Sequence, residues 1–320
     1  MLMIQAAMNS TTVPTHDGAI YRCILKEDFK YILLPVSYSL VFVVGLGLNL
    51  TALYFIVFRT TNWKPSTIYM INLNVCDTLY ILTLPFLIYY YADENDWPFG
   101  EAMCKLIRFL FYTNLYGSIL FLSCISLHRF IGVCHPMRSL LWMDSHRARW
   151  ISVGIWVIVL LLQAPVLYFS RISSVVMILL FVLPFGVVLV CNGLILKKLR
   201  EPGVGDGPTS QRSKHKSMKM IIIVLLVFFL CFLPFHVNRT IYNIIRYFDY
   251  SECTILQISN DAYKATRPLV SLNSCIDPIL YFMAGQRFKN AIQKNIKPDF
   301  ETPSHHLGKS KEPDRKTIQY

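Results

Sequence analysis

The chain has 320 residues, of which 54% are hydrophobic and only 16% are charged. A soluble domain carries about 25% charged residues, so this composition excludes an ordinary soluble or disordered protein and predicts a membrane protein. The net charge of +12 would suit nucleic acid unless the basic residues lie on one side of a membrane.

Seven apolar stretches are each long enough to cross a bilayer, which takes about 20 residues of helix. They cover residues 31–58, 66–91, 104–134, 150–169, 173–199, 218–247 and 254–282. The fourth and fifth stretches form one apolar run that is too long for a single crossing. The residues between them, Ser170-Arg171-Ile172-Ser173, predict a turn.

The charged residues predict the orientation of this bundle. Most Lys and Arg residues fall on one side, many of them within residues 197–219, whereas the acidic residues at 93–96 cluster on the other. Cytoplasmic loops are rich in Lys and Arg, so the N-terminus is predicted to lie outside. The positive charge then belongs to the inner membrane face and gives no support for a nucleic-acid partner. Asn9, followed by Ser-Thr, is a predicted glycosylation acceptor on the outer side.

The predicted fold is an all-α membrane protein, a seven-transmembrane helix bundle with a short amphipathic cytoplasmic helix. Residues 1–30 form the predicted extracellular N-terminus and residues 31–282 the transmembrane domain. Within residues 286–295, Phe288 and Ile292 lie four apart among basic residues, which predicts the amphipathic helix on the inner membrane surface. Residues 296–320 are polar and predict a disordered cytoplasmic tail.

Several polar side chains fall at bilayer depth, where ionisable groups are costly and usually functional. If their helix faces converge, their oxygens form a pocket suited to a hard cation such as Na⁺. The alternative is a set of hydrogen bonds that only holds the helices together. The predicted sodium pocket consists of Asp77, Asn114, Ser118, Asn273 and Asp277.

Cationic and aromatic residues also gather in the outer halves of the third, sixth and seventh spans, spaced three or four apart on shared helix faces. Arg groups bind phosphate oxygens bidentately and aromatic rings stack on a base, so this pattern predicts a cavity for a polyanion. The alternative is that these side chains extend to the membrane–water interface or form ion pairs with Asp261, Glu252 or Asp93. For Lys264 taken alone, this alternative is favoured. The predicted ligand-binding residues are Arg108, Tyr112, His236, Arg239, Lys264 and Arg267.

Short motifs occupy characteristic depths in the spans: Asn49, residues 73–77, His128-Arg129-Phe130, Trp156, Pro184, residues 228–234 and residues 277–281. Together they resemble the rhodopsin-like (class A) G-protein-coupled receptors. His128 where most of that family has Asp, and Phe232 where many members have Trp, resemble the purinergic branch. The strings at residues 236–240 and 263–268 are similar to metabotropic purinergic nucleotide receptors, in particular the pyrimidine-preferring, Gq-coupling members.

This resemblance implies a plasma-membrane receptor for an extracellular nucleotide of the UTP, UDP or ATP class. It implies activation of a Gq-type G protein and calcium signalling, with arrestin and receptor kinases as further partners. Pro234 leaves a backbone carbonyl unpaired and predicts a hinge in the sixth span. The predicted activation switches are Arg129, Phe228, Phe232, Pro234, Pro278 and Tyr281.

The cysteines match the resemblance only in part. Cys23 and Cys253 resemble the extra disulfide of the purinergic branch. Cys104 stands where the wider family forms a disulfide with the second extracellular loop, but that loop is missing here, so Cys104 is predicted to be unpaired. A truncated splice form and an incomplete gene model both remain open.

Other functions also fit parts of the pattern. A receptor for another anion, such as a dicarboxylate or acidic lipid, fits a cationic cavity. A truncated, non-signalling form that acts through dimerisation is a further alternative. A transporter is disfavoured because the spans show no inverted repeat. An enzyme is not predicted, because the spans contain no nucleophile–base pair or metal triad. Apart from Na⁺, no cofactor is expected.

Overall fold

The structure is a computed structural model that describes residues 10–14, 20–59, 63–135, 137, 139, 144–163, 170–200, 208–247 and 253–284. Three predicted features lie outside these residues: the glycosylation acceptor Asn9, the amphipathic helix at 286–295 and the tail at 296–320. They stay predictions.

Within the described residues, seven helices correspond one by one to the seven predicted spans, which confirms the all-α membrane fold. Three of them are interrupted and consist of shorter segments. The helices are α1 (Lys30–Arg59), α2 (Pro65–Ile81 and Leu84–Ala92), α3 (Gly100–Cys134), α4 (Ser145–Gln163), α5 (Ser170–Arg200), α6 (Pro208–Leu226, a π-helical turn Val227–Phe232 and Leu233–Tyr247) and α7 (Cys253–Ala265 and Arg267–Ala284).

Six of the described helices, α1 to α6, are long and apolar enough to cross a membrane. α7 is less apolar because polar side chains such as Asn273 and Asp277, both fully buried, occupy its inward face. Large apolar side chains such as Ile32 and Leu183 are 74% and 66% exposed on the outside of the bundle. This inverted distribution is expected when the surrounding solvent is lipid.

α3 lies at the centre of the bundle and packs against α2, α4, α5 and α6. Its residues Leu115, Ile119 and Leu122 are fully buried in the main apolar core. Gly117 permits the close approach of α2, because a Cβ added there would lie 2.9 Å from the Cys76 Sγ atom. This contact sets the spacing between α2 and α3 at the depth of the predicted sodium pocket.

Prolines account for the interruptions of the helices. Pro85 and Pro268 each occupy the second position of the segment that follows a break, in α2 and α7 respectively. Proline lacks the N–H that would continue the preceding helix, yet it is tolerated in a first helical turn. In α6 the π-helical turn Val227–Phe232 ends two residues before Pro234, whose missing N–H and ring geometry interrupt the regular hydrogen bonding. A π-helical turn therefore lies where the sequence predicts a hinge in the sixth span.

The predicted turn at Ser170–Ser173 is wrong. These residues form the first turn of α5, which therefore begins three residues before the predicted fifth span. α4 is described from Ser145 to Gln163. Hydropathy did not reveal where α5 begins because the apolar run continues across that point.

A short β-hairpin in the N-terminal segment was not predicted. β1 (Ser10–Pro14) and β2 (Ile20–Ile24) pair antiparallel, with Ser10 opposite Ile24 and Pro14 opposite Ile20. Both strands contain Thr, Val, Ile or Tyr residues, which favour extended backbone, but a five-residue strand gives little sequence signal. The hairpin belongs to the segment predicted to be extracellular and leaves the helical class of the bundle unchanged.

Candidate ligand-binding site

Arg239 of α6 is held among aromatic rings near the outer end of the bundle. Its guanidinium carbon lies 4.9 Å from the ring centre of Tyr112 and 5.9 Å from that of Phe235. Its Nη1 atom is buried and has no hydrogen-bond partner among the described residues. The rings orient the guanidinium group by cation–π attraction while leaving a donor free for a ligand.

Arg267 of α7 has a similar environment. Its guanidinium carbon lies 5.0 Å from the ring centre of Tyr263, and its nitrogens donate to the hydroxyl oxygens of Tyr91 at 2.9 Å and Tyr263 at 3.2 Å. The Phe235 and Tyr263 ring centres are 5.6 Å apart, so both Arg side chains line one aromatic wall. In the described part of the chain, no carboxylate forms an ion pair with either guanidinium group.

His236 lies beside Arg239 in the sequence and belongs to an aromatic cluster with Phe181 and Tyr116. Its ring stacks on Phe181 with centres 4.1 Å apart and planes at 12°, and its centre is 5.9 Å from that of Tyr116. The His236 Nε2 and Tyr116 hydroxyl atoms are buried and lack partners within the described ranges. Tyr116 and Phe181 were missed from the sequence, although Tyr116 lies four residues after Tyr112 and so shares its helix face.

The two remaining predicted ligand residues have different surroundings. Lys264 forms a buried ion pair with Glu27, rather than with any of the three acidic residues considered from the sequence. Arg108 is half-buried one turn before Tyr112 and has no ion pair among the residues described. The described geometry therefore centres the candidate site on Arg239, Arg267 and their aromatic wall.

Glu27 is a buried carboxylate outside the membrane-spanning helices. Burial by itself would raise its pKa, but hydrogen bonds from Lys264 and Lys30 outweigh burial and lower the pKa of Glu27 from 4.5 to about 2. A carboxylate with a lowered pKa stabilises the fold when ionised. Its contribution is therefore fully present above pH 4.5 and is lost as the pH falls towards 2.

We expect the melting temperature of the purified receptor to decrease between pH 4.5 and pH 2 partly because Glu27 becomes protonated. Glu27→Gln should lower the melting temperature at neutral pH and flatten its dependence on pH across this range. Thermal unfolding followed by fluorescence at a series of pH values measures both effects. Equal pH slopes for the wild type and the variant would contradict this assignment.

At mid-bundle depth, Asp77 of α2 lies in a network of polar side chains. Its Oδ1 atom accepts hydrogen bonds from Asn114 Nδ2 and Ser274 Oγ, each at 2.8 Å. All three residues are buried. Ser274 was not predicted, although it lies three residues before Asp277 on the same helix face.

Many polar atoms in and around this network have no hydrogen-bond partner among the described residues. The Oδ2 atom of Asp77, the Oδ1 atom of Asn114, the Ser118 hydroxyl and both oxygens of Asp277 are buried without hydrogen bonds to the residues described, as are both amide atoms of Asn273. Unpaired buried carboxylate oxygens are costly and require a compensating group. These atoms are the oxygen types that hard cations prefer.

The predicted switch residues lie on α3, α6 and α7. Phe228 and Phe232 are fully buried in the π-helical turn, with ring centres 5.4 Å apart. The Arg129 Nε and Tyr281 hydroxyl atoms are buried and unpartnered in the described structure. Pro278 lies inside α7, four residues after Ser274. The described bundle thus has unpaired polar atoms at the predicted inner end that a different packing could satisfy.

The cysteines predicted to be extracellular agree with the predicted pattern where they are described. Cys253 is disulfide-bonded. The side chain of Cys23, its predicted partner, lies outside the described residues, so the pairing stays a prediction. Cys104 is buried and is a free cysteine.

Comparison with known proteins identifies the family. Residues 48–175 and 169–281 match the seven-transmembrane receptors of the rhodopsin family. The chain is 51% identical to purinoceptor 2 of Homo sapiens over 305 residues, which are 87% of this chain and 81% of that protein. It is 44% identical to purinoceptor 4 of Mus musculus over 296 residues, or 85% of this chain and 81% of that protein. The chain therefore belongs to the rhodopsin family of seven-transmembrane receptors and, within it, to the purinoceptors, and it is a multi-pass membrane receptor rather than an enzyme.

Proposed function

We propose that the chain is a plasma-membrane receptor, with its N-terminus outside, that binds an extracellular nucleotide and activates a Gq-type G protein and calcium signalling. The observation that carries this proposal is the pair of inward-lying guanidinium groups, Arg239 and Arg267, which have no carboxylate partner among the described residues. Its relatives include proteins named purinoceptors 2 and 4.

A polyanionic ligand supplies what these two cations lack. A buried charge is costly unless it is paired, and Arg groups form strong, charge-assisted hydrogen bonds with phosphate oxygens. The free Nη1 atom of Arg239 is a donor available for such a bond. Arg267, already oriented by Tyr91 and Tyr263, supplies a second positive charge on the same wall.

The aromatic cluster favours a nucleotide over the other anions. The rings of His236 and Phe181 stack on each other, so the cluster offers a ligand the two polar atoms that lack partners among the described residues, His236 Nε2 and the Tyr116 hydroxyl. A nucleobase edge carries both donors and acceptors and can form hydrogen bonds with these atoms. An ionised dicarboxylate can only accept hydrogen bonds, and the tail of an acidic lipid can form none.

Signalling would follow from a shift between two packings of α6. The π-helical turn before Pro234 is a natural hinge, and Phe228 and Phe232 within it would repack as the inner end moves outward. Arg129 would then contact the G protein, and arrestin and receptor kinases would bind the same inner face. The agonist must bind the active packing more tightly than the resting one for this shift to occur.

We also propose that the mid-bundle pocket binds Na⁺ in the resting state. Asp77 and Asp277, with the oxygens of Asn114, Ser118 and Asn273, would hold the ion, and Ser274 joins them through its bond to Asp77. The unpartnered buried oxygens of the described pocket support this assignment. The ion would supply the positive charge that two buried carboxylates require.

UTP affinity is expected to decrease as NaCl increases, because Na⁺ stabilises the resting packing. Coupling between two sites is typically 1–3 kcal/mol, so a change of about tenfold is expected. Asp77→Asn should remove this dependence. Choline chloride is the control for ionic strength, which also screens the cationic cavity. Equal effects of the two salts would leave only a structural function for the pocket.

Calcium release tests the proposed function. Cells expressing the chain would be challenged with UTP, UDP, ATP, ADP, succinate and lysophosphatidic acid, with each response divided by the surface-labelled amount of receptor. A response to at least one nucleotide is expected. A surface-expressed receptor that responds only to succinate or the lipid would contradict the proposal.

A further inference from the structure

Glu27 connects the segment before α1 to the outer part of α7. It lies three residues before α1, and only 6% of its surface is exposed. Its Oε2 atom accepts a hydrogen bond from Lys30 Nζ at 2.5 Å. Its Oε1 atom accepts hydrogen bonds from Asn260 Nδ2 at 2.7 Å and from Lys264 Nζ. Both carboxylate oxygens therefore have cationic or amide partners inside the protein.

Neighbouring contacts fix this segment in place. The Lys26 backbone N–H donates to Gln257 Oε1 at 2.9 Å, and Gln257 Nε2 donates back to the Lys26 carbonyl oxygen at 2.6 Å. Leu25 is buried in the main apolar core. Glu27 is thus held against α7 by backbone and side-chain contacts that do not involve its own charge.

Lys264 differs in this respect from the two cations of the ligand wall. It lies three residues before Arg267, on the other side of the interruption of α7, and close enough for the two charges to interact. Arg239 and Arg267 contact only aromatic rings and hydroxyl groups among the described residues, whereas Lys264 already has a carboxylate partner. Moving Lys264 to a ligand would leave a buried carboxylate with fewer partners, which is strongly unfavourable.

Building on the proposed nucleotide site, we propose that Glu27 is a specificity-determining residue that withholds Lys264 from the ligand phosphates. The cavity then offers the two guanidinium groups to the phosphate chain and keeps a third nearby cation neutralised. Removing the charge of Glu27 would release Lys264 to the cavity. A released cation favours the ligand with the additional phosphate, because each charge-assisted contact adds to affinity.

The test compares UTP with UDP on the purified full-length chain, since the two ligands differ by one phosphate group. Dissociation constants would be obtained from ligand-dependent melting curves for the wild type, Glu27→Gln, Lys264→Gln and the double variant. We expect Lys264→Gln alone to leave the ratio of UDP to UTP constants within about threefold. Glu27→Gln should increase the ratio about tenfold, the size of one charge-assisted contact, and Lys264→Gln should cancel this increase in the double variant.

Asp261→Asn is the matched control. Asp261 is a neighbouring carboxylate on α7 whose described partner is the neutral amide of Gln257, at 2.8 Å. Its replacement should leave the ratio unchanged, because no cation of the described site depends on it.

Two results would overturn the inference. One is an unchanged ratio in a folded Glu27→Gln receptor. The other is a loss of about tenfold in UTP affinity from Lys264→Gln alone, because it would show that Lys264 already contacts the ligand in the wild type. This second result does not depend on whether Glu27→Gln folds. Either result leaves the proposed function intact as long as UTP binds the wild type. Absence of binding by any nucleotide would contradict both.

Discussion

Replacing Arg239 or Arg267 with alanine is expected to weaken UTP potency roughly ten- to a hundredfold. Each guanidinium group would lose a charge-assisted hydrogen bond to phosphate, which contributes ~1.5–3 kcal/mol. The loss should be larger than for an exposed cation because these groups lie among buried aromatic rings, where water does not replace the contact. Dose–response curves for calcium release, normalised to surface-labelled receptor, measure the change.

Lys105→Ala is the matched control for these variants. Lys105 lies on α3 near the outer end of the bundle, is half exposed and pairs with Glu101 at 2.7 Å. Losing it changes the net charge by the same amount but removes no contact from the aromatic wall. Equal potency of the wild type, Arg239→Ala and Arg267→Ala would remove the cavity from consideration as the nucleotide site.

Grafting a cysteine-containing second extracellular loop from a purinergic relative between α4 and α5 is expected to raise surface expression and nucleotide potency together. α4 ends at Gln163 and α5 begins at Ser170, and the sequence between them contains no cysteine. Cys104 is a free cysteine, which makes it available to the grafted loop. Removing a native disulfide typically costs about 2–5 kcal/mol in small secreted domains, so restoring one should improve folding.

The effect on potency has a separate cause. A covering loop excludes water from the cavity, and contacts between Arg and phosphate strengthen as the local dielectric constant falls. A graft in which the loop cysteine is replaced by Ser, and one that also carries Cys104→Ser, separate the disulfide from the loop itself. We expect both controls to lose most of the gain. If the ungrafted chain already signals with the same potency as the graft, the loop does not contribute to nucleotide potency.

The helices of the bundle were predictable because bilayer thickness imposes a long apolar run on each span. The motifs around Asn49, Asp77 and Pro234 were predictable for a related reason, since polar residues and prolines inside such runs stand out. Hydropathy gave the number of helices but not their ends, as the misplaced turn at Ser170–Ser173 shows. An apolar run carries no signal for where within it the chain reverses.

The partner of Lys264 could not have been predicted from the sequence. Glu27 lies 237 residues away along the chain, and several acidic residues of the predicted outer side were equally plausible partners. Only the contacts of Lys26 and Leu25, which place the segment against the bundle, select Glu27. The same limit applies to Phe181, whose stacking on His236 depends on how α5 packs beside α6.

Direct binding of UTP to the purified full-length chain, followed as a rise in melting temperature, tests most directly whether the cavity is a nucleotide site. The wild type is compared with the double variant Arg239→Ala/Arg267→Ala, and succinate and lysophosphatidic acid are tested separately as alternative ligands. The predicted result is that UTP raises the melting temperature of the wild type but not of the double variant, and that neither alternative ligand raises it. A wild-type receptor stabilised by succinate or lysophosphatidic acid, but by no nucleotide, would contradict it.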